Sequence, residues 1–354
     1  MTTKPEATKE EYADYLIKGF WDWLYDWPFE GERSWPADTV VTYSFEGNSG
    51  DWTEDQRAGI KYALDSWARV ADLSFSPASG NEEGSIVFKA DRPNSNDYVA
   101  AKNINVSFFG IGSEIQSAEI KFNVNEDSKF SYSLVDEKYI GGSTIQTVIH
   151  EIGHALGLGH GGPYNDDVFD GEEVLDDTPF FNQYAIFSND TLQYSTLSYW
   201  NADNSGSGHD WFQGAGPLLF DIYAIQQKYG AAIAEPGNTR YGFFDNDEPD
   251  YANSLFLEFD FRHYKNNSRK PVVAIWDAGG ADVLDLTGYS RPSFVSLEPG
   301  DFSSVDGLDD NIAIAYGTWI EDAFGGSGND TISGNEKPNY LRGCLLYTSP
   351  SPRD

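Results

Sequence analysis

Cysteine is nearly missing: the 354 residues hold one, Cys344. No internal disulfide can form, so the fold must hold without covalent staples, the usage of a reducing compartment. Methionine occurs once, as the initiator, and histidine five times. No run reaches the ~18 apolar residues a membrane span needs, and residues 1–11 carry no apolar signal core. Neither point excludes export by a route that reads a C-terminal signal. Basic residues are scarce, 23 against 57 acidic ones, for a formal charge of −34. Such a charge argues against nucleic-acid binding through phosphates and points to divalent cations and a saline exterior. Hydrophobic residues at 40% and aromatics at 15% are too many for a disordered acidic tail, so a core can form. The 35 glycines exceed the usual share of about 7% and suggest a turn-rich or repeated segment. The length suggests two domains, roughly one per 150 residues.

Residues 344–354 (CLLYTSPSPRD) break with the Gly/Asp/Asn-rich pattern that ends at Gly343. They read as one frame of a sequencing adapter, so the native protein is expected to continue past Gly343. Resequencing the locus decides this: the same residues encoded before a stop codon would exclude it.

Residues 10–27 carry Tyr12, Tyr15, Leu16, Phe20, Trp23 and Leu24 at helical spacing, an amphipathic helix with a wide aromatic face. Residues 39–45 are strand-like. Thr53 to Gln56 spells a capping box, and the helix behind it, to about residue 71, lines up Ile60, Ala63, Leu64, Trp67 and Val70. Short strands are expected at 73–76, 85–89, 105–109 and 118–123, and further helices at 143–158 and 217–229. Residues 165–177 form an acidic loop in which a solvated face outweighs a cation site. After Tyr229 short β-segments alternate with Gly, Asp and Asn, so the domain boundary is placed near Gly230.

The strongest signal is His150-Glu151-Ile-Gly-His154-Ala-Leu-Gly157-Leu-Gly-His160. Positions i and i+4 of a helix share a face, so His150 and His154 can offer two imidazoles to one ion. Gly157 lets the backbone leave the helix with positive φ and return His160 as a third ligand. Three protein ligands leave one coordination position open, the mark of a catalytic zinc site. Zinc lowers the pKa of water there to about 7, and Glu151 stands where its carboxylate can reach that water. The extended HExxHxxGxxH pattern is far more specific than HExxH alone. His209 and His263 match no ligand spacing and read as ordinary surface or core residues.

On these residues the sequence resembles the metzincin zinc endopeptidases, and within them the serralysins. Tyr194-Ser-Thr-Leu-Ser-Tyr199-Trp200 is similar to the family's Met-turn segment. The resemblance makes Tyr199 a zinc ligand at rest that swings away to stabilise the oxyanion during turnover. The methionine position is Leu197, a departure; the two side chains have similar volume, a swap that usually costs less than about 1.5 kcal/mol, so an apolar floor is still expected. Residues 216–230 resemble the helix that closes the catalytic domain, and 276–285 the opening of the calcium-binding domain. Residues 162–188 are long and acidic for the family.

Gly325-Gly326-Ser-Gly328-Asn-Asp330-Thr-Ile332-Ser fits the nonapeptide of calcium-bound parallel β-rolls at every position. Glycines permit the tight turn and present carbonyls, Asp330 supplies charge to a hard cation, and Ile332 packs the roll. A lone copy cannot stack on itself, which implies lost partners past Gly343. By resemblance, Glu235, Gly237 and Thr239 pair with Asp277, Gly279 and Asp282 around one calcium. Gly280, Asp282, Trp319 (through its carbonyl) and Glu321 surround a second; Gly326, Gly328 and Asp330 belong to the repeat.

The expected fold class is α+β. A metzincin-like catalytic domain of mixed twisted sheet and helices (1–230) precedes a β-rich domain (231–343) that opens a calcium-binding parallel β-roll, and 344–354 is foreign. The expected activity is that of a secreted zinc endopeptidase of broad specificity, stabilised by calcium, with Glu151 as general base and Tyr199 on the oxyanion. Residues 118–123 are the expected edge strand for an extended peptide. The resemblance implies protein and peptide substrates, a proteinaceous inhibitor and a monomeric chain; no nucleic acid or membrane partner is expected. Two alternatives stand beside this. One is a calcium-dependent adhesion or binding module with a vestigial protease domain, favoured only by Leu197. The other is a zinc hydrolase of a non-protein substrate.

Overall fold

The computed structural model describes residues 4–19, 32–47, 51–79, 83–91, 104–111, 114–123, 140–164, 178–232, 237–243, 259–266 and 268–343. The acidic run 165–177, Glu235 and the tail 344–354 lie outside them.

The first helix, α1 (Lys9–Asp14), starts where Thr8 and Glu11 close a capping box. The predicted helix over 10–27 stays α-helical only to Asp14; a π-helical turn, Tyr15–Gly19, follows. A tertiary bond competes with the helical ladder there, because the Leu16 carbonyl accepts from the Gly159 amide at 2.7 Å. Residues 20–27 are outside the described set.

Strand β1 (Val40–Glu46) leads to α2 (Glu54–Ala68). The predicted capping box is present: the Thr53 amide donates to Gln56 at 2.8 Å and the Gln56 amide to Thr53 at 3.2 Å. The face carrying Ile60, Ala63, Leu64, Trp67 and Val70 is buried as its spacing dictates. Strands β2 (Ser74–Pro77), β3 (Ile86–Asp91), β4 (Ile104–Ile111) and β5 (Glu114–Asn123) complete a five-stranded sheet in the order β2-β1-β3-β5-β4. Its neighbours run parallel except β4, which is antiparallel to β5.

This order corrects one expectation. Residues 118–123 belong to β5, which has β3 on one side and β4 on the other, so its main-chain groups are already paired. Among the described residues, the strand at the edge on that side is β4. The alternation Ile115, Ala118, Ile120, Phe122 marks a strand with one buried face, but no local pattern states which strand ends a sheet.

Helix α3 (Ser143–Ala155) packs against α2 and β4. The indole of Trp67 on α2 donates to the Ile149 carbonyl at 3.0 Å. Helix α4 (Leu219–Tyr229) closes this half, two residues after Pro217, and packs on α1. Two short helices, Thr178–Tyr184 and Phe261–Asn266, flank it in sequence.

The rest is β-structure in pieces of two or three residues. Strands β6 (Arg240–Gly242), β8 (Val283–Asp285), β12 (Asp322–Phe324) and β14 (Tyr340–Arg342) form a parallel sheet in the order β14-β12-β8-β6. Strand β9 (Phe294–Ser296) pairs in parallel with β13 (Thr331–Ser333). Strands β7 (Val273–Ile275), β10 (Phe302–Ser303) and β11 (Ile312–Ile314) make a third sheet. The nonapeptide therefore does have a stacking partner: β13, which carries Ile332, lies on β9, a coil without the Gly and Asp pattern. One hydrophobic cluster takes in Trp67 and Ile149 as well as Ile275, Leu284 and Val295, so the β-rich part shares its core with the rest.

Candidate metal centre

Helix α3 is driven by Ile145, Val148, Ile149 and Ile152, all fully buried. It stops at a Schellman reversal: the Leu158 amide donates to the Gly153 carbonyl at 3.1 Å and the Gly157 amide to that of His154 at 2.8 Å. Gly157 has φ +81°, and a Cβ there would stand 2.0 Å from the Arg33 carbonyl oxygen. Glycine is required twice, for conformation and for space. Gly157→Ala should lose more than the ~1–3 kcal/mol of a strained backbone alone in urea unfolding. Gly206→Ala, at φ +93° in open space, should lose less, since only the conformational part applies.

After the reversal the chain returns His160 to the helix. The three Nε2 atoms of His150, His154 and His160 then lie 3.0, 2.9 and 3.3 Å apart. Each Nδ1 faces a backbone carbonyl: His150 that of Thr196 at 2.7 Å, His154 that of Leu158 at 2.8 Å, His160 that of Tyr164 at 2.8 Å. A carbonyl only accepts, so each Nδ1 is the protonated nitrogen and each Nε2 presents a lone pair. Three lone pairs aimed at one point call for a cation. Arms of 2.0–2.1 Å from a tetrahedral zinc imply nitrogens about 3.3 Å apart, so the donor set fits zinc. Among the described residues these three form the one group of three or more histidine, cysteine or acid side chains whose ligand atoms all lie within 4.8 Å of one another. Burial pushes the His150 imidazole down to about 4 and that of His160 well below its usual value, so both stay neutral at pH 7. His160 is depressed first by burial and then by the other two rings.

Glu151 is half-buried, one residue past His150 on α3. The Tyr199 ring lies 4.4 Å from that of His160 and 5.7 Å from that of His150, centroid to centroid. Leu197 is fully buried, and its Cδ2 is 2.9 Å from where a Cβ of Gly153 would stand. It thus packs under the ligand-bearing helix as an apolar floor. His209 sits elsewhere, its Nε2 facing the Asp310 carbonyl at 3.1 Å.

Sequence reasoning missed what steadies these groups. Asp221, buried near the start of α4, accepts from the Thr196 amide at 2.7 Å, the Thr196 hydroxyl at 2.9 Å, the Leu218 amide at 2.9 Å and the Ser195 hydroxyl. It thereby fixes Thr196, whose carbonyl takes the His150 Nδ1–H and the Gln146 side-chain amide. Burial pushes the Asp221 carboxyl up to about 6. A lone acid in the first turn of a helix is the one signal that could have found it.

Of the residues expected to hold calcium, the structure gathers most. The Asp282 carboxylate accepts from the Thr239 amide at 2.7 Å, and the Asp282 amide donates to Glu321 at 2.9 Å. Asp277 accepts from the Gly279 amide at 2.8 Å. A Cβ on Gly280 would stand 2.1 Å from the Gly237 carbonyl oxygen. Trp319, two residues before Glu321, has Lys337 over its ring at 4.9 Å. Asp282 is fully buried, and its Oδ2 has no hydrogen-bond partner. Burial, then Asp277 and Glu321, push this carboxyl up to about 7. In the nonapeptide, Asp330 accepts from the Ser293 amide at 2.9 Å while its Oδ2 is buried without a partner. Cβ atoms on Gly326 and Gly328 would stand 2.2 and 2.4 Å from the carbonyl oxygens of Tyr289 and Arg291. Buried carboxylate oxygens without a hydrogen-bond partner, in turns where glycines lie close to main-chain carbonyls, suit a hard, oxygen-seeking cation. Both cradles fit calcium.

Known proteins resemble this chain in sequence. A family model described as Matrixin matches residues 34–167, and one described as Peptidase M10 serralysin C terminal matches residues 232–344. Serralysin B of Dickeya chrysanthemi is 35% identical over 318 residues, 84% of this chain and 60% of that protein. Metalloprotease AprA of Pseudomonas entomophila (strain L48) is 32% identical over 354 residues, 96% of this chain and 66% of that protein. Serralysin G of Dickeya chrysanthemi is 33% identical over 352 residues, 96% of this chain and 67% of that protein. This chain thus spans 60% to 67% of the length of these relatives. The solved structure of myroilysin aligns at a TM-score of 0.31 with 18% identity, over 55% of this chain and 95% of that one, too loosely to add to the assignment. With both family models and relatives matched along nearly its whole length, the chain belongs to the serralysin-type metzincins.

Proposed function

We propose that this chain is a zinc-dependent endopeptidase that hydrolyses proteins with broad specificity and is stabilised by calcium. The catalytic unit is 1–230 and the calcium-binding unit 231–343. The observation that carries the reading is the convergence of three unprotonated Nε2 atoms, each ring fixed by a carbonyl behind it.

His150, His154 and His160 would hold the zinc. A zinc ion there supplies a Lewis acid and brings the pKa of water down to about 7. Glu151 takes a proton from the attacking water as its oxygen bonds to the scissile carbonyl carbon, and passes it to the leaving amine as the C–N bond breaks. The Tyr199 hydroxyl donates to the oxyanion. An extended peptide pairs with the open edge of β4, which packs against the ligand-bearing α3. Main-chain pairing reads little sequence, hence the breadth of cleavage. Asp277, Asp282 and Glu321 would hold calcium with the carbonyls around them, as would the nonapeptide at Asp330. Carboxylate-rich calcium sites and a charge of −34 suit an extracellular setting, and no helix among the described residues is long and apolar enough to cross a membrane.

Purified chain with both ions should bind one zinc per molecule and digest casein. o-Phenanthroline should abolish digestion, and added zinc restore it. Material that carries zinc yet leaves casein intact would refute the assignment.

A further inference from the structure

The third imidazole is the one that helix geometry cannot place. His150 and His154 ride on α3, whereas His160 lies past the reversal, in residues 159–164. That short segment is gripped from outside. Before His160, the Gly159 amide donates to the Leu16 carbonyl at 2.7 Å. After it, the Tyr164 hydroxyl donates to both oxygens of Asp190 at 2.9 and 3.0 Å. The Tyr12 hydroxyl of α1 donates to the same carboxylate at 2.7 Å. Tyr164 in turn meets His160 twice: its carbonyl takes the Nδ1–H, and its ring stacks on the imidazole at 5.2 Å and 12°. Between them, Gly161 has no room for a side chain, since a Cβ would stand 2.1 Å from the Tyr12 hydroxyl oxygen and 2.4 Å from Asp190.

The gripping segment is itself docked rather than loose. Ala7 exchanges two hydrogen bonds with the Asn189 side chain, both 3.0 Å, and the Ser188 amide donates to the Pro5 carbonyl at 2.9 Å. Tyr12, Leu16, Tyr164 and Asp190 are all fully buried, so water cannot substitute for any of these bonds.

We propose that residues 4–19 form a clamp that positions the third zinc ligand, with Tyr12 as its positioning residue acting through Asp190 and Tyr164. The zinc site is then complete only when this N-terminal segment is seated. The inference rests on the zinc reading of the triad and deepens it. Partners that orient a ligand typically govern metal affinity by 10–100-fold, and an imidazole at the end of a short loop depends on them most.

The test is zinc release from the full chain, kept in calcium, into a chromogenic chelator. Tyr12→Phe deletes one hydroxyl and no volume of the ring. It should release zinc about tenfold faster while still binding one equivalent, and the cobalt-loaded variant should show an altered visible spectrum. Tyr164→Phe should act alike, and the double variant should add little, because both hydroxyls serve one carboxylate. Tyr223→Phe is the control: from α4 its hydroxyl donates to Glu10 of α1 at 3.2 Å, on the exposed side, and release should not change. Should Tyr12→Phe fail to fold by near-ultraviolet circular dichroism, Tyr164→Phe decides. Wild-type release rates in the folded variants overturn the clamp alone. A wild-type chain that binds no zinc overturns the proposed function as well.

Discussion

Glu151→Gln should cost about 10²–10⁴ in kcat on casein or a quenched peptide, the usual contribution of a positioned acid–base group. Zinc content should remain one per chain. Helical geometry explains both halves of this expectation. Glu151 is about 100° around α3 from His150 and about 60° from His154, so it flanks the ligand face without being on it. It is half-buried where His150 and His160 are buried, which places it at the opening of the site. Glutamine keeps the size and the ability to accept a hydrogen bond, but at neutral pH it cannot hold a transferable proton. The loss should therefore appear in kcat, with KM little changed. Loss of zinc together with activity would make Glu151 a structural support for the triad, and full activity would remove it from the mechanism.

The histidine triad was legible because i, i+4 spacing and the Gly157 reversal before His160 are local facts. So was the face of α2 and its capping box. The box at Thr8 and Glu11 spells a similar signature and could have been read in the same way. Three features lay beyond local pattern. The edge position of β4 depends on how five strands order themselves. The acceptors behind the imidazoles are backbone carbonyls of Thr196, Leu158 and Tyr164, and a carbonyl leaves no trace in residue type. The tie from Tyr12 to Asp190 spans 178 positions, between two residues whose types are common everywhere. The coil beneath the nonapeptide was missed for a related reason: β9 meets β13 through main-chain pairing, for which no glycine or aspartate pattern is needed. Local chemistry thus announced the three imidazoles that come together, while the framework that holds them is long-range and largely main-chain.

Stripping calcium should lower the melting temperature by about 5–10 °C at pH 7. A ligand at 100 times its Kd contributes about 2.7 kcal/mol, and 1 kcal/mol moves a unit of this size by about 2–4 °C. The physical source is the Asp282 carboxylate, fully buried with one oxygen unpartnered and with Asp277 and Glu321 nearby. Without a cation this group is held at about 7 rather than its usual 3.8. The sign follows from linkage. A carboxyl raised in the fold adds stability below its unfolded value and loses it as pH climbs through about 7, because the fold must then carry a buried charge. Calcium satisfies that charge. Its stabilising effect should accordingly be large at pH 7 to 8 and should shrink towards pH 5, where a proton already does part of the work. Melting curves should be taken on chelator-treated chain reloaded with zinc, with and without millimolar calcium, at pH 5 and 7.5. Asp282→Asn removes this charge, so its calcium-free form should lose less melting temperature between pH 5 and 7.5 than the wild type, the remainder belonging to groups such as Asp221 at about 6, and it should respond less to calcium. An unchanged wild-type melting temperature on calcium removal, or a full calcium response in Asp282→Asn, would show that this cradle is stabilised by its hydrogen bonds alone.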